Sequence, residues 1–276
     1  DTVDVNNKYT NATPTPAYIT LTKTVGGGVT AADIKGLTFT VYDSNDTAVA
    51  TVNMEDHFQQ KTGSTDTYEL KTPIKVTAGE TYYVVESNTA ITGYNLVEVK
   101  YSLNGGSTET TITTTLKAED AKPVAANTAD NAYEVKFTNV YEAKVGSLTV
   151  TKNVSGDTGY SQSLEFPVTI TFTVPTGKSL SGVTVTGGTL NGNVVTASLA
   201  DGKSVTVSDI PEGVTYVVTE GTSPDANYAL DTIVYGDTSK AISDGDTDTV
   251  DVNNTYTKPA DKIGDLEVTK VVTGTN

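Results

Sequence analysis

The chain has 276 residues, with 34 acidic against 18 basic side chains, a formal net charge of −16 and no cysteine. Without a basic stripe nucleic-acid binding is disfavoured and not expected, since phosphate contacts need Lys and Arg. Without cysteine it has no disulfide, thiolate metal site or Cys nucleophile, and no apolar run approaches the roughly 18 to 20 residues that cross a bilayer.

Threonine is the commonest residue, Val and Tyr are plentiful and 24 glycines punctuate the chain. That mix favours strands joined by tight turns. In chain order, DTVDVNNKYT at 1–10 reads as a strand and YITLTKTV at 18–25 as another. LTFTVYD at 37–43 alternates apolar and polar residues, as a half-buried strand does. MEDHFQQ at 54–60 predicts a short helix, TYYVVE at 81–86 a strand ending on Glu, and LKAEDA at 116–121 a second short helix. YEVKFTNVY at 133–141 and GSLTVTKNV at 146–154 read as strands, followed by VTITFTVP, KSVTVSDIP and TYVVTE, the last again ending on Glu at position 220. DTVDVNNTYT at 248–257 and GDLEVTKVV at 264–272 complete the series.

Three phrases recur. The Asn-bearing phrase occurs at 1–10, 133–141 and 248–257; the Lys-bearing phrase at 18–25, 146–154 and 264–272; the Glu-bearing phrase at 81–86 and 215–220. Each Asn phrase is followed within about a dozen residues by a Lys phrase, the order expected where one repeat hands over to the next. A domain therefore opens on Lys and closes on Asn. Residues 12–142 and 145–258 form two units, 1–10 reads as the last strand of a preceding repeat, and 264–276 as the first strand of a following one. The fold class is all-β, with many short strands per unit pointing to tandem sandwiches.

Strand parity places the recurrent polar residues on the apolar face, because side chains alternate across a strand. The inward rows read Ile19, Leu21, Lys23 and Leu148, Val150, Lys152; Tyr82, Val84, Glu86 and Tyr216, Val218, Glu220; Val135, Phe137, Asn139 and Val250, Val252, Asn254. Asn253, beside Asn254, points outward. An unpaired buried polar group costs several kcal/mol, about 2 to 7 on transfer scales, so the six are read as two groups of three. Burial favours a neutral amine and a protonated carboxyl. A neutral Lys amine can attack the Asn amide carbon while a Glu polarises the carbonyl and shuttles protons until ammonia leaves. The fold holds the reactants together. The product is an internal amide crosslink, made once per domain, so the chain is not an enzyme with turnover.

The order LTVTK, YVVTE or YYVVE, and FTNVY or VNNTY resembles the collagen-adhesin B-type and streptococcal pilin isopeptide domains of Gram-positive surface proteins. YYVVESNTAITGYN also resembles the E-box of pilins, in which Gly-Tyr follows the Glu; the second unit has Asn227 and Tyr228 at that place. The resemblance implies immunoglobulin-like sandwiches and Lys–Asn bonds between first and last strands. The crosslinks would join Lys23 to Asn139 and Lys152 to Asn254, with Glu86 and Glu220 catalytic. Asn7 and Lys270 would belong to the partial repeats. It implies an extracellular stalk or shaft on a bacterial cell surface, cell wall or pilus, whose partners are neighbouring repeats or copies of itself. The alternative is an adhesin module that binds a host glycan or matrix protein, favoured by the longer segment 103–132 of the first unit. No sortase-sorting or pilin polymerisation motif is present in the sequence.

Other candidates read as structural. DGDTD at 244–248 lacks the sixth-position Gly and twelfth-position acid of a calcium loop, having Thr249 and Thr255 there, so it is expected to be a solvated acidic turn. His57 stands without a second ligand or motif and is expected in an exposed loop. The sequons at Asn11, Asn45, Asn153 and Asn253 are short patterns that arise by chance. GGGV at 26–29 lacks the Lys-Ser/Thr of a phosphate loop. Thioester domains need Cys, and ester-bond domains need a Gln near a domain end, whereas the glutamines are Gln59, Gln60 and Gln162. No cofactor or metal is expected.

Overall fold

A computed structural model describes residues 13–113, 115–260, 264 and 266–274. The chain divides into two units, residues 1–144 and 145–276.

In the first unit the strands are β1 (Pro16–Gly26), β2 (Thr38–Asp43), β3 (Ala48–Asn53), β4 (Phe58–Gln60), β5 (Thr67–Leu70) and β6 (Ile74–Thr77). They continue with β7 (Tyr82–Ser87), β8 (Tyr94–Leu103), β9 (Thr110–Thr111), β10 (Lys117–Ala121) and β11 (Tyr133–Ala143). One sheet runs β4-β5-β1-β11-β8-β9, with β6 also on β1; the other runs β10-β7-β2-β3. Their inner faces share one core that includes Ile19, Leu21, Phe39, Val84, Val135 and Phe137.

The second unit repeats the plan with β12 (Val145–Gly156), β13 (Phe166–Thr173), β14 (Thr184–Thr186), β15 (Thr189–Asn191) and β16 (Val194–Leu199). Then come β17 (Ser204–Pro211), β18 (Thr215–Glu220), β19 (Tyr228–Tyr235) and β20 (Thr247–Tyr256). Its sheets run β14-β17-β12-β20-β19 and β15-β16-β13-β18. Leu148, Val150, Ile170, Val218, Val250 and Val252 fill the core between them. Both units are β-sandwiches, the all-β class that the alternation predicts and of the immunoglobulin-like kind that the resemblance implies.

In each unit the first strand lies beside the last in a parallel pair. β1 pairs with β11 and β12 with β20, whereas every other named strand pairing is antiparallel. Parallel neighbours cannot be joined by a hairpin, and here nearly the whole unit serves as the crossover.

A glycine sits at the end of each of these pairs. A Cβ on Gly27 would collide with the carbonyl of Tyr141, and one on Gly156 with the carbonyl of Tyr256. Both also have positive φ, 89° and 113°, which glycine alone adopts freely.

The helix expected near residue 54 is present as Met54–His57 (α1), one turn whose N-cap Asn53 accepts from Asp56 N. The helix expected at 116–121 is absent, and Lys117–Ala121 form β10. Its Ala118 and Ala121 are buried against β7, with a bulge between them that puts Asp120 at φ 61°. Tertiary pairing has overridden the local helix preference of Ala, Glu and Lys.

Candidate functional site: two buried Lys–Glu–Asn clusters

Lys23 stands on β1, Asn139 on the adjacent β11, and Glu86 on β7 of the facing sheet. Each continues an apolar row, so the three meet in the core. Lys23 and Asn139 are 0% exposed and Glu86 2%. The Lys23 amine lies 2.7 Å from Glu86 Oε1. The same oxygen accepts from Asn139 Nδ2 at 3.2 Å. Asn139 Nδ2 also donates to the Tyr141 hydroxyl at 3.4 Å, which in turn donates to the Thr89 carbonyl at 2.9 Å.

The second unit assembles the same three types from equivalent strands. Lys152 on β12 is 0% exposed and Asn254 on β20 is 1%, and the Glu220 side chain on β18 is buried with them. Lys152 Nζ lies 3.2 Å from Glu220 Oε2, and Asn254 Nδ2 donates to Glu220 Oε1 at 2.7 Å. Lys152 has further partners. It donates to the carbonyls of Val252 and Asn153 and lies 4.5 Å from the centre of the Phe166 ring.

In both clusters the amide oxygen of the Asn, Asn139 Oδ1 or Asn254 Oδ1, is buried without a hydrogen bond. Such a group is costly to leave in place. Burial is also the main influence on the amines. It lowers the Lys23 pKa to about 8 against the opposing pull of Glu86, and it lowers that of Lys152 against Glu220. The arrangement thus puts an amine with a raised neutral fraction, a carboxylate and an amide within reach of one another in a dry space.

Asn253 makes no part of this cluster. It bonds outward, donating to Thr232 Oγ1 and accepting from Asn153 Nδ2. Lys270 is exposed and lies outside any strand, and Asn7 lies outside the described residues. His57 is exposed beside its helix cap, where its Nδ1 accepts from Asn53 N. No described group of His, Asp and Glu is placed to hold a metal ion.

The acidic turn needs one correction. Asp244 and Asp246 are exposed as expected, but Asp248 is buried. Desolvation pushes its carboxyl pKa up, and burial next to it pushes the Tyr216 hydroxyl up. The row Asp248, Val250, Val252, Asn254 carries the signal, since Asp248 continues the inward row of the Asn phrase one step back from Val250.

A family model described as a domain of unknown function (DUF7601) matches residues 146–256. No curated protein sequence matches the chain. Among solved structures, a major pilin from Streptococcus pyogenes is similar at 19% identity, covering 87% of this chain and 98% of its own, with a TM-score of 0.45. A second Streptococcus pyogenes major pilin (T3.2) is similar at 18% identity, 88% and 99% coverage, and a TM-score of 0.43. A pilus-presented adhesin is similar at 14% identity over 67% of this chain and 38% of its own, with a TM-score of 0.32.

Proposed function

We propose that the chain is a shaft segment of a bacterial surface fibre, in which each unit seals itself with a Lys–Asn isopeptide bond: Lys23 to Asn139 and Lys152 to Asn254. The observation that carries this reading is the convergence, in both units, of a buried Lys amine and a buried Asn amide on one buried Glu carboxylate.

The chemistry follows from the geometry. With its pKa near 8, about one Lys23 amine in ten is neutral at pH 7, against roughly one in three thousand for an unperturbed lysine. The neutral nitrogen attacks Asn139 Cγ, and Glu86 takes a proton from it and delivers that proton to Nδ2. The Cγ–Nδ2 bond then breaks and ammonia leaves. Glu86 touches both nitrogens through a single oxygen, Oε1, so the transfer path is short. Glu220 does the same with its two oxygens divided between Lys152 and Asn254.

The placement of the bond explains what it would do. Tension enters a unit through its first strand and leaves through its last, and these lie side by side. A covalent link between them carries the load past everything in between. Closing a loop of order 100 residues also contributes about 4 to 5 kcal/mol on the chain-entropy view.

The segment behind the adhesin alternative is not a free loop. It contributes β9 and β10 to the sheet edges, with Leu116, Ala118 and Ala121 packed on the core. Intact-mass measurement of the folded chain tests the proposal: the mass should fall short of the sequence by two ammonia molecules, and an unmodified mass would refute it.

A further inference from the structure

We propose that Tyr141 is a fourth working residue of the first cluster, holding the nitrogen that departs from Asn139 and stabilising it as it becomes ammonia. The inference rests on the crosslinking reading and goes beyond it by separating the two units.

The placement comes from the ladder. Tyr141 follows Asn139 by two positions on β11 and so shares its inward face; it is 2% exposed. The β8–β11 pairing slips between Val140 and Tyr141, skipping Val97. Bulges of this kind re-aim side chains. Here Tyr141 comes opposite Leu96, with Tyr94 opposite Ala143 and set edge-on to the Tyr141 ring at 6.5 Å. The hydroxyl is pinned by its bond to the Thr89 carbonyl, so its oxygen faces Asn139 Nδ2 as an acceptor.

The second unit has the same residue type at the same spacing, Tyr256 after Asn254, but a different slip. There the β19–β20 ladder skips Asp231, ahead of Asn254, and Tyr228 and Tyr256 lie directly opposite each other with ring centres 4.7 Å apart. Among the described residues Asn254 Nδ2 has Glu220 as its hydrogen-bond partner and no tyrosine.

The reaction places charge where Tyr141 sits. The Lys23 Nζ–Asn139 Cγ bond forms, one proton passes from Nζ to Nδ2 through Glu86, and the Cγ–Nδ2 bond breaks to release ammonia. Tyr141 neither gains nor loses a proton. As Nδ2 takes up its proton it becomes ammonium-like, and a hydrogen bond from a charged donor is stronger than one from a neutral amide. The Tyr141 oxygen therefore binds the transition state more tightly than the starting amide, which is what accelerates a step. Among the described residues, Glu86 is the charged group that acts on this hydroxyl, and Tyr94 on β8 packs against its ring.

The test follows each bond separately in freshly synthesised full chain. Cell-free translation is quenched over time, and peptides bearing Lys23–Asn139 or Lys152–Asn254 linkages are quantified by mass. Tyr141→Phe keeps the ring and should slow the first bond by about ten- to a hundredfold, the worth of a hydrogen bond to a charged group, while leaving the second unchanged. Tyr256→Phe should alter neither rate. Incorporating 3-fluorotyrosine at position 141 weakens the oxygen as an acceptor without changing its shape and should give an intermediate rate, which a purely structural role would not. This arm also decides the matter if Tyr141→Phe folds poorly. First-unit bond formation at the parental rate in both substituted proteins overturns the proposal for Tyr141 alone. Failure of the parent chain to form the first bond overturns the crosslinking reading itself.

Discussion

Lys23 does not lie opposite Asn139 in the β1–β11 ladder; it lies opposite Phe137, two positions short. The second unit keeps the same offset, with Lys152 opposite Val252 and Asn254 two positions further along. The offset keeps both residues on the inner face, because the side-chain period is two. It also leaves the long lysine room to reach diagonally across the strand pair to the shorter asparagine.

The identity of the leaving group gives the first prediction. In Asn139→Asp the geometry is kept and the carbon is still a carboxyl-type centre, but water replaces ammonia as the departing molecule. Intact mass should then show the loss of one water and one ammonia in place of two ammonia molecules. Retention of the unmodified first unit would show that the amide nitrogen is required.

Glu86→Ala should remove one of the two ammonia losses and leave the second unit sealed. It also strands the Lys23 amine in the core without its carboxylate, and removing one partner of a buried pair costs about 3 to 5 kcal/mol. Together with the lost crosslink, the first unit should unfold in calorimetry well below the second and well below the same unit of the parent. Glu220→Ala should reverse the assignment.

Asn139→Ala leaves Lys23 as a free amine and makes it titrate. Its folded pKa of about 8 lies below its unfolded value of 10.5, so between these pH values the unfolded chain holds the extra proton. Stability of the first unit should therefore rise as pH increases from 8 to 10.5, by up to about 3 kcal/mol, and be lost as pH falls back through 8. With the proposed bond formed in the parent, the same nitrogen would be an amide and this dependence should vanish. Urea unfolding at a series of pH values, compared between the two proteins, measures it.

Gly27→Ala and Gly156→Ala should each destabilise their own unit by more than about 2 kcal/mol. The added Cβ meets a backbone carbonyl that has little freedom to move, at a φ that disfavours any side chain. Gly28→Ala shares the positive φ, 78°, but opens into free space, so its cost should be nearer 1 kcal/mol. Thermal unfolding of the three variants separates collision from strain.

The six residues of the two clusters were legible because strand alternation is strict. Once Ile19 and Leu21 are inward, Lys23 must be, and the same reasoning carries Val135 and Phe137 to Asn139. Alternation also turns Tyr141 inward beside Asn139, but it says nothing about where a ladder slips, and the slip between Val140 and Tyr141 sets which β8 residues stand opposite that tyrosine. FTNVY and VNNTY place Tyr141 and Tyr256 at the same spacing after their asparagines, yet their different contacts arise from pairing with β8 and β19, which is not local information. β10 was misread for a related reason: its Ala, Glu and Lys suit a helix, and only the open edge of β7 makes them a strand.

The adjacency of first and last strands has a consequence for survival outside a cell. With the proposed bond in place, every peptide link between Lys23 and Asn139 lies inside a covalent ring. A protease that nicks an exposed turn there, such as the one around Gly105, converts the ring to a branched chain without parting the two ends. A cut severs the thread only outside the rings, as in the short stretch 140–151.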